Sequence, residues 1–158
     1  LRGCGSPTRG LVGSGYTGSA YSNVVDYFSL SSSGNATDFG NLSLAGRGTL
    51  GPSFSSSVRA FWAGGVSTSS YDNGIDYFTI ASTGNATDFG DLVNDPVHCF
   101  GVSNATHGFM GGGYATNGLT NLIQRITMAT TGSAEDYDDL DAAKAVYSSV
   151  SSAHGGIA

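Results

Sequence analysis

GNATDFG stands at residues 34–40 and returns unchanged at residues 84–90, and a weaker copy, GSAEDYD, follows at residues 132–138. Self-similarity at a fixed period means that one supersecondary unit has been repeated, so it is read before any local motif. The flanks repeat with it. NVVDYFSL from Asn23 matches NGIDYFTI from Asn73, and NLIQRITM from Asn121 is the third copy, with Gln124, Arg125 and Ile126 in place of Asp-Tyr-Phe. A further element, one basic residue running through small and apolar residues into glycine, reads RGLVGSG from Arg9, RAFWAGG from Arg59 and HGFMGGG from His107. His154-Gly155-Gly156-Ile157 restarts it. The units therefore fall at about 1–50, 51–98 and 99–145, with a partial fourth over 146–158.

Each unit reads as short strands. Residues 75–80 are β-branched and aromatic, follow an Asn-Gly turn signal, and carry apolar side chains on both faces. That pattern predicts a strand sandwiched between neighbouring sheets. The glycines at 64–65 and 111–113 remove side chains where backbones crowd or turn. Residues 34–40 and 84–90 supply a turn and then a segment whose Phe39 or Phe89 enters the core, while Asp38, Asp88 or Thr87 caps backbone groups. The stretches 51–57 and 97–104, before each basic residue, are the remaining candidate strands, and helical patterning is confined to residues 140–146.

Composition agrees with a folded, uncharged β protein. Of 158 residues 62 are Gly, Ser or Thr, but 39% hydrophobic and 11% aromatic content suffices for a core. Lys144 is the one lysine, and a net charge of −6 argues against a phosphate-binding surface and hence a nucleic-acid partner. No apolar run is long enough to span a membrane as a helix. Cys4 and Cys99 read as two buried thiols rather than a bridge.

Four short strands in a period of 47–50 residues is the pattern of a propeller blade. The order of glycine doublet, variable loop, Asp-Tyr strand, Phe-containing segment and basic residue resembles the kelch repeat of β-propellers. IDYFTIASTGNATDFGDL, followed by a basic residue and Phe-Met-Gly-Gly-Gly, is similar to tandem kelch-like repeats in large structural proteins of marine tailed phages, above all cyanophages. The resemblance covers nearly the whole chain. It departs from kelch in that Phe39, Phe89 and Tyr137 stand where a tryptophan belongs, the one tryptophan being Trp62. It implies an all-β fold of kelch-like, propeller-type repeats of four short antiparallel strands, about three blades plus an overhanging strand. Three units do not close a propeller, so the expectation is either an excerpt of a longer chain or assembly in which residues 150–158 complete a neighbour's first sheet by strand addition.

Reactive groups are sparse. His107 occupies the place of Arg9 and Arg59, as does His154, so each reads as a repeated structural donor to a carbonyl or an aspartate. No Ser-His-Asp grouping, Cys-His pair or GxSxG elbow stands out among so many serines. Asp26 and Asp76 are equivalent and are expected to accept their own repeat's backbone donors. Residues 136–141 offer hard oxygens to calcium but lack the glycine and distal glutamate of a helix-loop-helix site. Asn35, Asn85 and Asn104 begin Asn-Ala-Thr triplets and Asn41 begins Asn-Leu-Ser, which are glycan acceptors where that machinery exists. No enzyme activity, metal or cofactor is expected. The loops 16–22, 66–72 and 114–120 vary most between units and hold Tyr16, Tyr21, Tyr71 and Tyr114 among Ser, Thr, Gly and Asn, the composition of adaptable binding loops. With the resemblance, they suggest a virion-surface structural protein that partners other virion proteins or its own copies and contacts host surface glycans. A secreted adhesin or extracellular filament subunit is the alternative, and a kelch-type oxidase or polysaccharide lyase domain comes third.

Overall fold

A computed structural model of the chain describes residues 1–67 and 70–145. Among these the regular structure is all β, and residues 140–145 form no helix. Three four-stranded antiparallel sheets follow one another along the chain. The first is β1 (Arg2–Gly5), β2 (Arg9–Gly13), β3 (Val24–Ser29) and β4 (Thr37–Asn41), in that spatial order. The second is β5 (Ser53–Ser55), β6 (Arg59–Ala63), β7 (Gly74–Thr79) and β8 (Thr87–Asp91). The third repeats the order with β9 (Phe100–Ser103), β10 (His107–Gly111), β13 (Leu122–Thr127) and β14 (Glu135–Asp139), while β11 (Tyr114–Ala115) and β12 (Gly118–Leu119) form a separate hairpin. A β-bulge recurs at one place in each sheet: Val25/Asp26, Ile75/Asp76 and Ile123/Gln124. A bulge re-aims the side chains around it.

The sheets stack face against face. Leu11, Val25, Phe39 and Leu42 of the first sheet meet Ala60, Trp62, Phe78 and Ile80 of the second. The second sheet's opposite face, with Phe61, Ile75 and Phe89, meets Met110, Ile126 and Met128 of the third. The middle sheet is thus buried on both sides, which is why β7 carries apolar residues on both. Aromatic rings lock edge to face across the first layer, with Phe39 and Phe78 centroids 5.4 Å apart, and Trp62 lies 5.6 Å from Phe78.

Backbone bonds join the sheets along their outer edges. Gly84 N–H donates to the Phe39 carbonyl at 2.8 Å and Ala86 N–H to the Asn41 carbonyl at 2.9 Å. Gly132 and Ala134 do the same to Phe89 and Asp91 at 2.8 and 2.7 Å. A side chain on the outer strand would block this contact: a Cβ at Gly40 would lie 2.1 Å from the Gly84 oxygen, and one at Gly90 2.6 Å from the Gly132 carbonyl carbon. The first and last glycines of GNATDFG are therefore two halves of one joint, the last of one unit meeting the first of the next. At the inner edge, Ser55 Oγ donates to the Gly5 carbonyl and Ser103 Oγ to the Ser55 carbonyl, both at 2.7 Å. Between the edges, Arg9 Nη1 donates to the Ile80 carbonyl and Arg59 Nη1 to the Met128 carbonyl, both at 2.8 Å. The repeated basic residue is a structural donor to the next unit.

The described sheets form an open series rather than a closed ring. The overhanging strand expected in residues 146–158, with its His154, lies outside the described residues. Cys4 and Cys99 are free thiols, and burial pushes both from 9.0 up to about 12.

Equivalent phenylalanines with different surroundings test the stack. Phe78→Ala, at a position 2% exposed, should cost about 3–5 kcal/mol in urea unfolding, and Phe28→Ala, 39% exposed, under about 1 kcal/mol. Because the folded thiols ionise only at higher pH, the stability they confer is full below pH 9.0 and lost as pH rises towards 12. Thermal unfolding followed from pH 8 upward should therefore show a fall that Cys99→Ala reduces.

Candidate binding surface

The second strand of every sheet ends in two successive residues of positive φ: Ser14 and Gly15 (60° and 108°), Gly64 and Gly65 (57° and 118°), Gly112 and Gly113 (62° and 97°). This left-handed pair throws the chain out of the sheet into a tight hairpin. The first carries a Tyr16–Tyr21 bridge, the second a Val66–Tyr71 bridge, and the third is β11 and β12, with Tyr114 opposite Leu119. Each hairpin closes on the same bond: Ser22 N–H to Gly15, Asp72 N–H to Gly65 and Thr120 N–H to Gly113, at 2.9, 3.0 and 3.0 Å. Ser14, the non-glycine of the set, is held by its hydroxyl, 2.7 Å from Thr49 Oγ1.

All four predicted tyrosines sit on these hairpins. Tyr16, Tyr71 and Tyr114 are exposed, and Tyr21 is half-buried with its ring edge-on to Tyr16 at 5.4 Å. Tyr16 also borders a cleft of about 320 Å³ walled by Val12, Ser14, Val24 and Asp26. The hairpins stand at equivalent corners of three sheets, with Tyr16 and Tyr114 on the first arm and Tyr21 and Tyr71 on the second. Thr17 and Ser19 add hydroxyls to the first hairpin, and Ser67 and Ser70 to the second.

The aspartates do something the sequence reading did not anticipate. Asp76 is fully buried, and its carboxylate takes the N–H and the hydroxyl of Ser43, in the preceding unit, at 2.7 and 2.8 Å. Arg47 lies beside it, Nε 3.4 Å away, and pairs also with Asp72. In the third sheet Gln124 replaces Asp76, and its amide oxygen takes the Val93 N–H at 2.5 Å while its nitrogen donates to Asn94. The acceptor serves the neighbouring repeat, not its own backbone, because alternation along β7 puts Asp76 on the same face as Phe78, against the preceding unit. That an Asp can become Gln while the position stays polar was the available signal. Asp38 and Asp88 are exposed and cap nothing among the described residues.

The third unit's departures compensate one another. Arg9 stacks on Tyr27 and Arg59 on Tyr77, 5.0 and 4.5 Å from the ring centroids. In the third sheet the cation moves to Arg125, the ring to Tyr137 at 4.6 Å, and Glu135 pairs with the guanidinium at 2.5 Å. His107 lacks the reach of arginine and is bonded to Thr106 Oγ1 at 2.8 Å instead.

Among the described residues no three His, Cys, Asp or Glu converge to hold a metal ion. Residues 136–139 lie in β14, where successive side chains such as Asp138 and Asp139 point to opposite faces. Asn85 and Asn104 of the Asn-Ala-Thr triplets accept backbone N–H bonds, from Asn41 at 3.0 Å and His107 at 2.8 Å. No family model matches the chain, and no curated protein matches it.

Asp76→Ala would leave both Ser43 donors without their acceptor in a buried site and Arg47 with Asp72 alone, and should cost about 3–5 kcal/mol. Its equivalent Asp26→Ala, on an outer face, should cost under about 0.5 kcal/mol. Chemical denaturation of the two variants side by side measures the difference.

Proposed function

We propose that the chain is a kelch-like structural module of a virion appendage or surface protein of a marine tailed phage, and that its hairpin row contacts host surface polysaccharide. The observation that carries this reading is the hairpin, rebuilt three times on the same two-residue left-handed corner, each time with at least one tyrosine. Tyrosine rings present flat apolar faces to the C–H side of sugars, and neighbouring hydroxyls bond their O–H groups. The stack beneath carries few charges, 11% of residues, which suits a particle surface in salt water. In this reading the sheets are consecutive kelch-like units whose neighbours are other virion proteins or copies of the chain itself. The work is structural, with no cofactor and no chemical step.

Tyr16, Tyr71 and Tyr114 changed together to Ala should lower binding to immobilised host-surface polysaccharides by about tenfold or more while leaving thermal unfolding unchanged. Unaltered binding by the triple variant, or no binding by the native chain, would overturn the reading.

A further inference from the structure

Nine asparagines stand in the chain, and two of them, Asn73 and Asn117, precede a glycine. The backbone nitrogen of a following residue can attack an asparagine side chain at Cγ, and glycine, with no Cβ, leaves that approach unobstructed. Sequence alone does not choose between the two dipeptides. The fold holds them differently.

Asn73 ends the second hairpin and Gly74 opens β7. Gly74 is buried, its N–H donates to Asp72 Oδ1 at 2.8 Å, and its carbonyl accepts the Gly64 N–H at 2.9 Å. The Arg47 guanidinium packs against it so closely that there is no room for a Cβ. The Asn73 carbonyl in turn accepts the Leu92 N–H at 2.7 Å. The attacking nitrogen is therefore committed, and the backbone on both sides of it is pinned.

Asn117 and Gly118 lie at the tip of the third hairpin, where Tyr114 pairs with Leu119 and Ala115 with Gly118. Asn117 is exposed, and its amide has no partner among the described residues. Gly118 has a φ of 110°, and a Cβ added there would meet nothing within 4 Å. The preceding unit grips the turn at Thr116, whose N–H donates to Asp95 Oδ1 at 3.0 Å and whose hydroxyl donates to Oδ2. A hairpin of two rungs opens far more readily than a central strand such as β7.

We propose that Asn117 is a site of spontaneous deamidation, and that the fold protects Asn73 from the same reaction. The Gly118 nitrogen bonds to Asn117 Cγ, the bond from Cγ to the amide nitrogen breaks, and that nitrogen leaves as ammonia with the Gly118 proton. The five-membered imide left behind takes up one water. Opening at Cγ yields aspartate in a normal backbone, and opening at the main-chain carbonyl yields isoaspartate, which lengthens the turn by one carbon. Either product puts a carboxylate beside Thr116, where it repels the Asp95 carboxylate that holds the turn. The hairpin that bears Tyr114 is thus the part of the stack that changes with age. The inference rests on the two Asn-Gly environments and is independent of polysaccharide binding.

Peptide mapping by mass spectrometry of the native chain, aged in mildly alkaline buffer with and without urea, tests it. In the folded chain the peptide holding Asn117 should become about 1 Da heavier and contain isoaspartate. Its conversion should run about tenfold or more faster than that of the peptide holding Asn73. In urea, where both glycine nitrogens are released, the two rates should converge. Asn117→Gln, which would have to close a six-membered ring, should abolish the mass gain in its own peptide and leave the Asn73 rate unchanged. Folded-state conversion of Asn73 as fast as that of Asn117 would overturn the proposal. So would an Asn117 that converts only in urea, or a product holding aspartate without isoaspartate, which is direct hydrolysis rather than attack by Gly118.

Discussion

An outer β-strand exposes a row of unpaired N–H and carbonyl groups, and in this chain the next repeat covers it. Residues 84–86 pair with the outer strand β4 and residues 132–134 with β8, through carbonyls separated by one residue. The approach is so close that Gly40 and Gly90 admit no side chain. Once these edges are joined, the apolar faces of successive sheets are held in register. The rings of Phe39, Phe78 and Trp62 then meet in the first layer, and Phe61 meets Phe89 and Met110 in the second. The cation and the buried acceptor of each unit fall into place between the edges.

This arrangement makes each repeat incomplete by itself. A single sheet of four short strands would expose both an apolar face and a buried acceptor's position, so stability comes from neighbours. It also frees the hairpins. They sit at the corners of a stack whose interior carries the folding energy, so their residues can vary without loss of fold. Tyr16, Val66 and Tyr114 occupy one position in three hairpins with differing neighbours, consistent with that freedom.

The period, the strands and the burial of both faces of β7 were legible in the sequence because they follow from alternation and from the glycine and Asn-Gly signals. The tyrosines were placed on loops for the same reason. The joint between units was not legible. Gly34 and Gly40 look like turn residues of one repeat until the fold brings Gly84 against Gly40, a contact between non-local residues. The role of Asp76 was hidden likewise, since its partner Ser43 lies a repeat away in sequence. The third unit's rearrangement of Arg125, Glu135 and Tyr137 reads as divergence until the three are seen packed together. Nor does local pattern say whether repeated sheets close into a ring, because closure depends on the angle between neighbours.

Amide hydrogen exchange resolved by residue tests most directly whether the repeats are joined through their outer edges. The N–H groups of Ala86 and Ala134 donate across the two internal junctions, while that of Ala36, at the same place in the first unit, has no recipient among the described residues. In the monomer at low concentration, Ala86 and Ala134 should exchange as slowly as the central strands β7 and β13, and Ala36 at the rate of an open loop. Equal, fast exchange at all three would contradict the account.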